Sequence, residues 1–284
     1  MGFGCTNTLP LIPNYKMKNI LLTFVLLFSL DCYAIKPVRE YVTTPDSLKM
    51  SYKQQVVKTP DGYDLNTWHI KPEPSKDNKT TLVLAYADGG NMSYWLYHIK
   101  ALTESGYTVV AFDYRGFGQS SDFEINPLNL YYNEFATDLQ SVLGWTKKNI
   151  KGHNTGVLAY SMGTIVATFA LQQEKADFLI GEGYVYDPSA YVAKIKALKG
   201  RDIVLPKGVD KYTSQLKRIK CSMLLVAGEK DEFTTVEESE KIAQLRKNRE
   251  ILRHSGKHTE GFITMTKESF GDMYIKELIK FTQK

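Results

Sequence analysis

The stretch TGVLAYSMGTIVA, residues 155–167, decides the fold. An apolar run ends at Tyr160, a serine follows, and a helical pattern of small and apolar residues begins at Gly163. This order of strand, sharp turn and helix is typical of a nucleophile elbow, where the turn lifts a serine hydroxyl above the carboxyl end of a sheet. The turn needs small residues two positions before and after the serine, here Ala159 and Gly163. Taken alone, the pattern fits an ordinary βα turn with a serine cap equally well.

Strand and helix patterns alternate from residue 81 onwards. Continuous apolar runs at residues 81–87, 108–113 and 223–227 are typical of strands buried on both faces of a parallel sheet. Amphipathic helices are predicted between them, and a closing helix is predicted over residues 265–281. The alternation predicts an α/β fold with a mainly parallel sheet of about eight strands and helices on both faces.

The segments outside this alternation are also interpretable. Strand-like runs at residues 51–58 and 65–70 flank a Thr-Pro-Asp-Gly turn, which predicts an antiparallel hairpin at one sheet edge. Residues 35–50 are polar and irregular, and we expect an N-terminal arm there. Residues 184–220 lie between two strands and could form a small lid. We therefore expect a single domain over residues 51–284.

Composition excludes some classes of function. Of 284 residues, 43% are hydrophobic and 24% are charged, as in ordinary globular proteins. The net charge is +5, from 36 basic and 31 acidic residues. These charges are spread along the chain without a basic block or interleaved aromatic residues, so a nucleic-acid partner is not predicted.

The N-terminus resembles a targeting segment. Lys16 and Lys18 precede an apolar run at residues 20–30, which is too short to span a bilayer comfortably but fits a signal-peptide core. We expect a signal peptide over residues 1–34, with Met17 as an alternative start and export to the periplasm or the medium. The alternative to a cleaved signal peptide is an uncleaved N-terminal anchor, which is the one membrane contact that we consider. Cleavage after residue 34 would leave Cys221 as the only cysteine and exclude an intrachain disulfide.

Two later loops supply candidate partners for the serine. Serine is a poor nucleophile unless a base accepts its proton and a third group orients that base. Asp231 follows the strand predicted at 223–227, and His258 follows the strand predicted at 249–253. The order Ser, Asp, His is that of the α/β-hydrolase arrangement, with each residue after a strand. Competing candidates remain, and they are Glu229 and Glu232 for the acid and His254 for the base. The other histidines, at positions 69, 98 and 153, are interpreted as structural or solvated.

Acyl transfer also needs donors for the developing oxyanion. One backbone N–H comes from the residue after the nucleophile, here Met162. The other comes from the loop after the strand at 81–87, at Ala87 or Asp88. Because a carboxylate aimed at an oxyanion would repel it, we expect the Asp88 side chain to point away and to cap the following helix or to bind loop amides.

Over about residues 50–284 the chain resembles the α/β-hydrolase superfamily. Within it, GGNMS at residues 89–93, FDYRGFGQS at residues 112–120 and the elbow are similar to the BEM46-like serine hydrolases. The sequence departs from that group's pattern where Tyr86 and Ala87 replace His-Gly and where alanine replaces the first glycine of the elbow. The resemblance implies Ser161 as nucleophile, Asp231 as acid, His258 as base, and Met162 with Asp88 as oxyanion donors.

We therefore expect a serine hydrolase that cleaves a carboxylic ester of a small acyl substrate through an acyl-enzyme. The same groups would serve a thioesterase or an acyltransferase. No metal or organic cofactor is expected. The alternative is a catalytically inactive α/β-hydrolase fold used for binding, because the loop at residues 86–88 is altered. Five aromatic residues could line a substrate pocket or simply pack, and they are Tyr94, Trp95, Tyr97, Tyr184 and Tyr186.

Overall fold

The computed structural model describes residues 34–284. The predicted signal peptide, apart from its last residue, lies outside the described residues, as does the alternative start at Met17. Residues 35–50, which were predicted as an arm, lie against the loop that follows the third strand of the main sheet. There β1 (Lys36–Pro37) pairs in parallel with β5 (Gly89–Gly90). The Asn91 side-chain amide then donates to the carbonyl oxygens of residues 38 and 40.

Eight further strands form the central sheet of the described chain. They are β2 (Tyr52–Lys58), β3 (Asp64–Ile70), β4 (Thr80–Ala85), β6 (Thr108–Phe112), β7 (Asn154–Tyr160), β8 (Phe178–Glu182), β9 (Ser222–Gly228) and β10 (Arg249–His254). Their order across the sheet is β10-β9-β8-β7-β4-β6-β3-β2.

The predicted mainly parallel sheet is confirmed. All neighbouring strands from β10 to β6 are parallel, whereas β3 pairs antiparallel with β6 and β2 pairs antiparallel with β3. The hairpin predicted at one edge is therefore also confirmed. Because parallel strands end at the same edge of a sheet, the loops that follow β4, β7, β8, β9 and β10 all meet there.

Helices connect the strands, as the alternation predicts. Those of the described chain are α1 (Leu96–Glu104), α2 (Tyr132–Asn149), α3 (Met162–Ala170), α4 (Pro188–Lys199), α5 (Tyr212–Arg218), α6 (Val236–Gln244), α7 (Gly261–Thr264) and α8 (Asp272–Thr282). Within residues 34–284, no helix combines the length and the apolar character that crossing a membrane requires.

The closing helix is shorter than predicted. Residues 265–271 form a loop, and the long helix α8 begins only at Asp272. The Asp272 carboxylate accepts the backbone N–H groups of Lys267 and Glu268, which folds the loop back on itself, and Gly271 adopts a φ of 71° before the helix. Phe270 packs from this loop against the ring of His98 at 5.1 Å. The predicted start of the closing helix, at residue 265, is therefore wrong, because the apolar side chain of Phe270 packs from a loop.

The DYRGFG turn at residues 113–118 is held by contacts within the protein. Asp113 is fully buried and its carboxylate accepts the backbone N–H groups of Met92 (2.9 Å) and Gln119 (3.1 Å). Arg115 is also buried, and its guanidinium lies between the carboxylates of Asp61 and Asp138. These side chains bind the protein itself and hold the loop under the sheet edge where the parallel strands end.

Candidate active site

Ser161 sits on a sharp turn between β7 and α3. Its φ of 50° lies in a region that residues with a side chain rarely adopt, and its hydroxyl-bearing side chain is buried. The Ser161 N–H donates to the Glu182 carbonyl at 3.0 Å. At Gly163, an added Cβ would lie 2.0 Å from the Ala85 carbonyl oxygen, so only glycine allows α3 to approach β4 this closely. The strand, turn and helix predicted from the sequence are therefore present.

Hydrogen bonds link three of the predicted site residues. His258 Nε2 lies 2.8 Å from Ser161 Oγ, and His258 Nδ1 lies 2.7 Å from Asp231 Oδ2. A neutral imidazole that donates from Nδ1 to the carboxylate presents the lone pair of Nε2 to the serine hydroxyl. The arrangement can accept the proton of Ser161 and orient the base that accepts it.

Asp231 is held by the turn in which it lies. Its Oδ1 accepts the backbone N–H groups of Phe233 (2.8 Å) and Thr234 (3.0 Å), and its Oδ2 accepts the Thr234 hydroxyl at 2.6 Å. Burial acts to raise the pKa of Asp231, but the hydrogen bonds from His258 and Thr234 outweigh it and lower that pKa. Glu229 and Glu232, the competing candidates for the acid, are exposed.

Sequence reasoning left His254 as a rival base, and the structure places it elsewhere. It is buried, and its Nδ1 lies 3.0 Å from the Thr264 hydroxyl, so it does not contact the serine. The remaining histidines are also distant from Ser161. Burial lowers the pKa of both His69 and His98 to about 4, and His153 is bonded to Thr81.

The two expected oxyanion donors differ in their surroundings. Met162 is the first residue of α3, where N–H groups lack a helical acceptor, and its N–H has no backbone acceptor among residues 34–284. The Asp88 N–H interacts with the carboxylate of its own side chain. The close approach of Gly163 to the carbonyl oxygens of Ala85 and Tyr86 brings the start of α3 against the loop that contains Asp88. The N–H of Met162 is thus available beside the serine, whereas that of Asp88 is shared with its own carboxylate.

The Asp88 side chain was expected to cap the following helix or to bind loop amides. Asn91, not Asp88, caps the following 3-10 helix by accepting the N–H of Ser93. The Asp88 carboxylate interacts instead with a loop amide, its own backbone N–H. Burial raises the pKa of the Asp88 carboxyl, and this hydrogen bond and the positive charges of Lys199 and Arg201 oppose that rise.

The sequence analysis missed Tyr191. This residue lies on α4, within residues 184–220, and its hydroxyl is 3.4 Å from Ser161 Oγ. Its ring also faces Phe233, at 6.5 Å between centroids, and Phe233 lies 5.7 Å from the His258 ring. Helix α4 therefore places an aromatic residue beside the serine. The only sequence signal was an aromatic residue one turn into a helix in the predicted lid.

The aromatic residues that the sequence singled out have other contacts. Trp95 packs on Tyr160 at 4.4 Å, Tyr184 is buried and bonded to Thr168, and Tyr97 is exposed.

A second residue that sequence reasoning missed is Gly183. A Cβ there would lie 2.7 Å from the His258 ring, so this glycine provides the space in which the imidazole lies.

Residues 34–284 contain no group of three or more His, Cys, Asp or Glu side chains positioned to hold a metal ion. Cys221 is a free thiol, and burial raises its pKa to about 11. It lies just before β9, at the opposite end of that strand from Asp231.

Comparisons with known proteins agree with this fold. A family model for the alpha/beta hydrolase fold matches residues 80–179. The chain is 24% identical to the uncharacterized protein YfhR of Escherichia coli K12 over 247 residues, which is 78% of this chain and 77% of YfhR.

Two solved esterases are similar in structure. The Pyrococcus furiosus esterase Pf2001 superposes with a TM-score of 0.67 at 21% identity and covers 88% of this chain and 97% of its own. An esterase from Exiguobacterium antarcticum has a TM-score of 0.52 at 18% identity, with coverages of 81% and 97%. The chain therefore has the α/β-hydrolase fold.

Proposed function

We propose that this protein is a serine hydrolase that cleaves a carboxylic ester or a related acyl bond. The observation that carries the proposal is the continuous chain of hydrogen bonds from Asp231 through His258 to the hydroxyl of Ser161. The serine occupies a strained turn at the sheet edge where open α/β sheets place their sites. A serine that served only to cap a helix would need neither the imidazole nor the buried carboxylate.

The geometry suggests how the reaction proceeds. His258 Nε2 removes the proton of Ser161 as Oγ attacks the substrate carbonyl carbon, and Asp231 stabilises the imidazolium that forms. Collapse of the tetrahedral intermediate transfers that proton to the leaving alcohol and leaves an acyl group on Ser161. Water then attacks the acyl-enzyme with His258 again as base, which releases the carboxylic acid and restores the serine.

The developing oxyanion would be bound by the backbone N–H groups of Met162 and Asp88. Such donors act through the backbone, so the replacement of His-Gly by Tyr86 and Ala87 removes neither N–H group. The carboxyl of Asp88 is the unfavourable feature of this loop. Its raised pKa and the cations around it reduce the negative charge that an oxyanion would meet.

An ester is the substrate class best supported. Two structurally similar proteins are named esterases, and we extend that activity to this chain as part of the proposal. We also propose that it groups with the BEM46-like serine hydrolases, on the motifs at residues 89–93 and 112–120. Because of the apolar run at residues 20–30, we propose export to the periplasm or the medium, with an uncleaved N-terminal anchor as the alternative.

A fluorophosphonate probe tests the proposal directly. We expect it to label the wild-type protein and to leave Ser161→Ala unlabelled, because only an activated serine forms the phosphonyl adduct. Ser189→Ala is the matched control, since this serine is exposed at the start of α4, and its labelling should equal that of the wild type. Equal labelling of Ser161→Ala would refute the assignment. Absence of labelling and of ester turnover, together with retained ligand binding, would favour the inactive binding protein.

A further inference from the structure

Glu182 connects the two halves of the candidate site. It is the last residue of β8 and its side chain is 1% exposed. Its backbone carbonyl accepts the N–H of Ser161 at 3.0 Å, at the strained turn. Its carboxylate Oε1 accepts the N–H of Gly261 at 2.6 Å, three residues after His258. One residue thus holds both the turn that carries the nucleophile and the loop that carries the base.

His254 lies behind this carboxylate. Its Nε2 is 3.6 Å from Glu182 Oε1 and makes no hydrogen bond within residues 34–284, while its Nδ1 accepts the N–H of Gly256 at 3.2 Å. A ring nitrogen that accepts a backbone N–H carries no proton, so the neutral imidazole has its proton on Nε2, the nitrogen nearer Glu182. The histidine that competed with His258 in the sequence is therefore a neighbour of Glu182.

The need for a charged residue at this position is not explained by packing. Glutamine would also accept the N–H of Gly261 and would not carry a buried charge. Burial raises the pKa of Glu182 to about 7, and the N–H of Gly261, the hydroxyl of Tyr274 and the positive charge of His258 act against that rise. The titratable groups that face Glu182 from the surrounding elements are His254, Tyr160, Tyr274, His258 and Asp231.

Within this set, only His258 gains a positive charge in the proposed reaction. Glu182 lies close to this ring, because an added Cβ on the next residue, Gly183, would be 2.7 Å from the His258 imidazole, and the Glu182 carboxylate binds the His258 loop at Gly261. Opposite charges at such short range attract each other. An ionised Glu182 therefore favours the imidazolium that forms as Ser161 attacks. This contribution is present only while the carboxyl is ionised.

We propose that Glu182 is a positioning residue for this reaction: it fixes the nucleophile turn relative to the His258 loop, and its carboxylate stabilises the imidazolium in the transition state. This inference rests on the proposed hydrolase function. It assigns to Glu182 a role beyond the three hydrogen-bonded residues described above.

Glu182→Gln tests the proposal through the pH dependence of ester hydrolysis. Below pH 6 both proteins carry a neutral side chain that accepts from Gly261, so we expect similar kcat/KM values. At pH 8.5 only the wild type has the charge, and we expect its kcat/KM to be about tenfold higher, a difference of about 1.4 kcal/mol. Glu260→Gln is the matched control, because it neutralises a more exposed carboxylate of the same loop. The ratio of the kcat/KM of Glu260→Gln to that of the wild type should stay constant with pH.

Thermal unfolding provides a second measurement. The folded pKa of about 7 exceeds the unfolded value of 4.5, so Glu182 contributes stability below pH 4.5 that is lost as the pH rises through 7. Glu182→Gln should therefore become more stable relative to the wild type between pH 5.5 and 8.5. If Glu182→Gln does not fold, Glu182→Asp replaces it, and its kcat/KM should still rise with pH above 6 because it retains a titrating carboxyl.

The outcomes separate this inference from the proposed function. The ratio of wild-type kcat/KM to Glu182→Gln kcat/KM decides the electrostatic role of Glu182. A ratio that is constant with pH, whether near one or large, would overturn that role and leave the proposed hydrolase function standing. A kcat/KM for Glu182→Asp that rises with pH by a clearly different factor from that of the wild type would do the same, because His258 as base gives the same rise in both proteins. If the wild type shows no turnover that depends on Ser161, the proposed hydrolase function fails, and this inference fails with it.

Discussion

Gly163→Ala should separate the geometry of the site from its chemistry. The added Cβ would lie 2.0 Å from the Ala85 carbonyl oxygen and 2.9 Å from that of Tyr86. Real Cβ atoms essentially never approach within 3.0 Å, so α3 must move by about 1 Å away from β4. Met162 is the neighbouring residue, and its N–H would move with the helix away from the second proposed donor at Asp88.

The size of the effect follows from that displacement. A shift of about 1 Å at a catalytic group costs about 10²-fold in rate, so we expect kcat to fall by about two orders of magnitude. Overpacking should also lower the free energy of unfolding by about 1–3 kcal/mol. KM should change less than kcat, because the lost contacts bind the oxyanion in the transition state and not the ground-state ester.

Gly144→Ala is the matched control for this variant. Gly144 also lies within a helix, α2, but its added Cβ would meet only the Glu174 side chain, at 3.6 Å. Replacing glycine by alanine inside a helix should raise the free energy of unfolding by up to about 1 kcal/mol and leave kcat unchanged. The assays are hydrolysis of a short-chain p-nitrophenyl ester and thermal unfolding. A folded Gly163→Ala protein whose kcat stays within about twofold of the wild type would refute the reasoning.

Three further predictions concern the surroundings of the site. Thr234→Val preserves shape but removes the hydroxyl that donates to Asp231, so kcat for ester hydrolysis should fall about tenfold, and an unchanged kcat would show that this bond is dispensable. Tyr191→Ala should increase kcat/KM for long acyl chains relative to acetate, whereas Tyr191→Phe, which keeps the ring, should not change this preference in a panel of p-nitrophenyl esters. Cys221 should react slowly with iodoacetamide at pH 8 in the folded protein and rapidly in urea, because burial raises its pKa to about 11. Peptide mass spectrometry measures that reaction, and rapid labelling of the folded protein would contradict the burial.

The sequence determined the fold through local patterns. Apolar runs of strand length alternate with helical periodicity, and short connections then favour a parallel sheet with helices on both faces. The same patterns located Ser161, Asp231 and His258, because each follows a strand and parallel strands end at one edge. That the three side chains come within hydrogen-bonding distance could be anticipated for this reason before any distance was known.

Local sequence patterns did not predict where the closing helix begins or which residue caps the helix after β5. Residues 265–271 were predicted as the start of a helix, but they form a loop that Asp272 closes through two backbone N–H groups. Asp88 was expected to cap a helix or to bind loop amides, and Asn91 caps the helix, since both residue types suit that position. Local composition does not decide between such alternatives.

Contacts across long sequence separations were decided only by the tertiary structure. Tyr191 reaches Ser161 from helix α4, 30 residues away, and Glu182 reaches Gly261 across 79 residues. No short motif encodes either contact, because each depends on how separate loops pack at the sheet edge. The sequence thus established the order and chemistry of the three linked residues, while packing established what covers the nucleophile and which buried carboxylate lies beside the base.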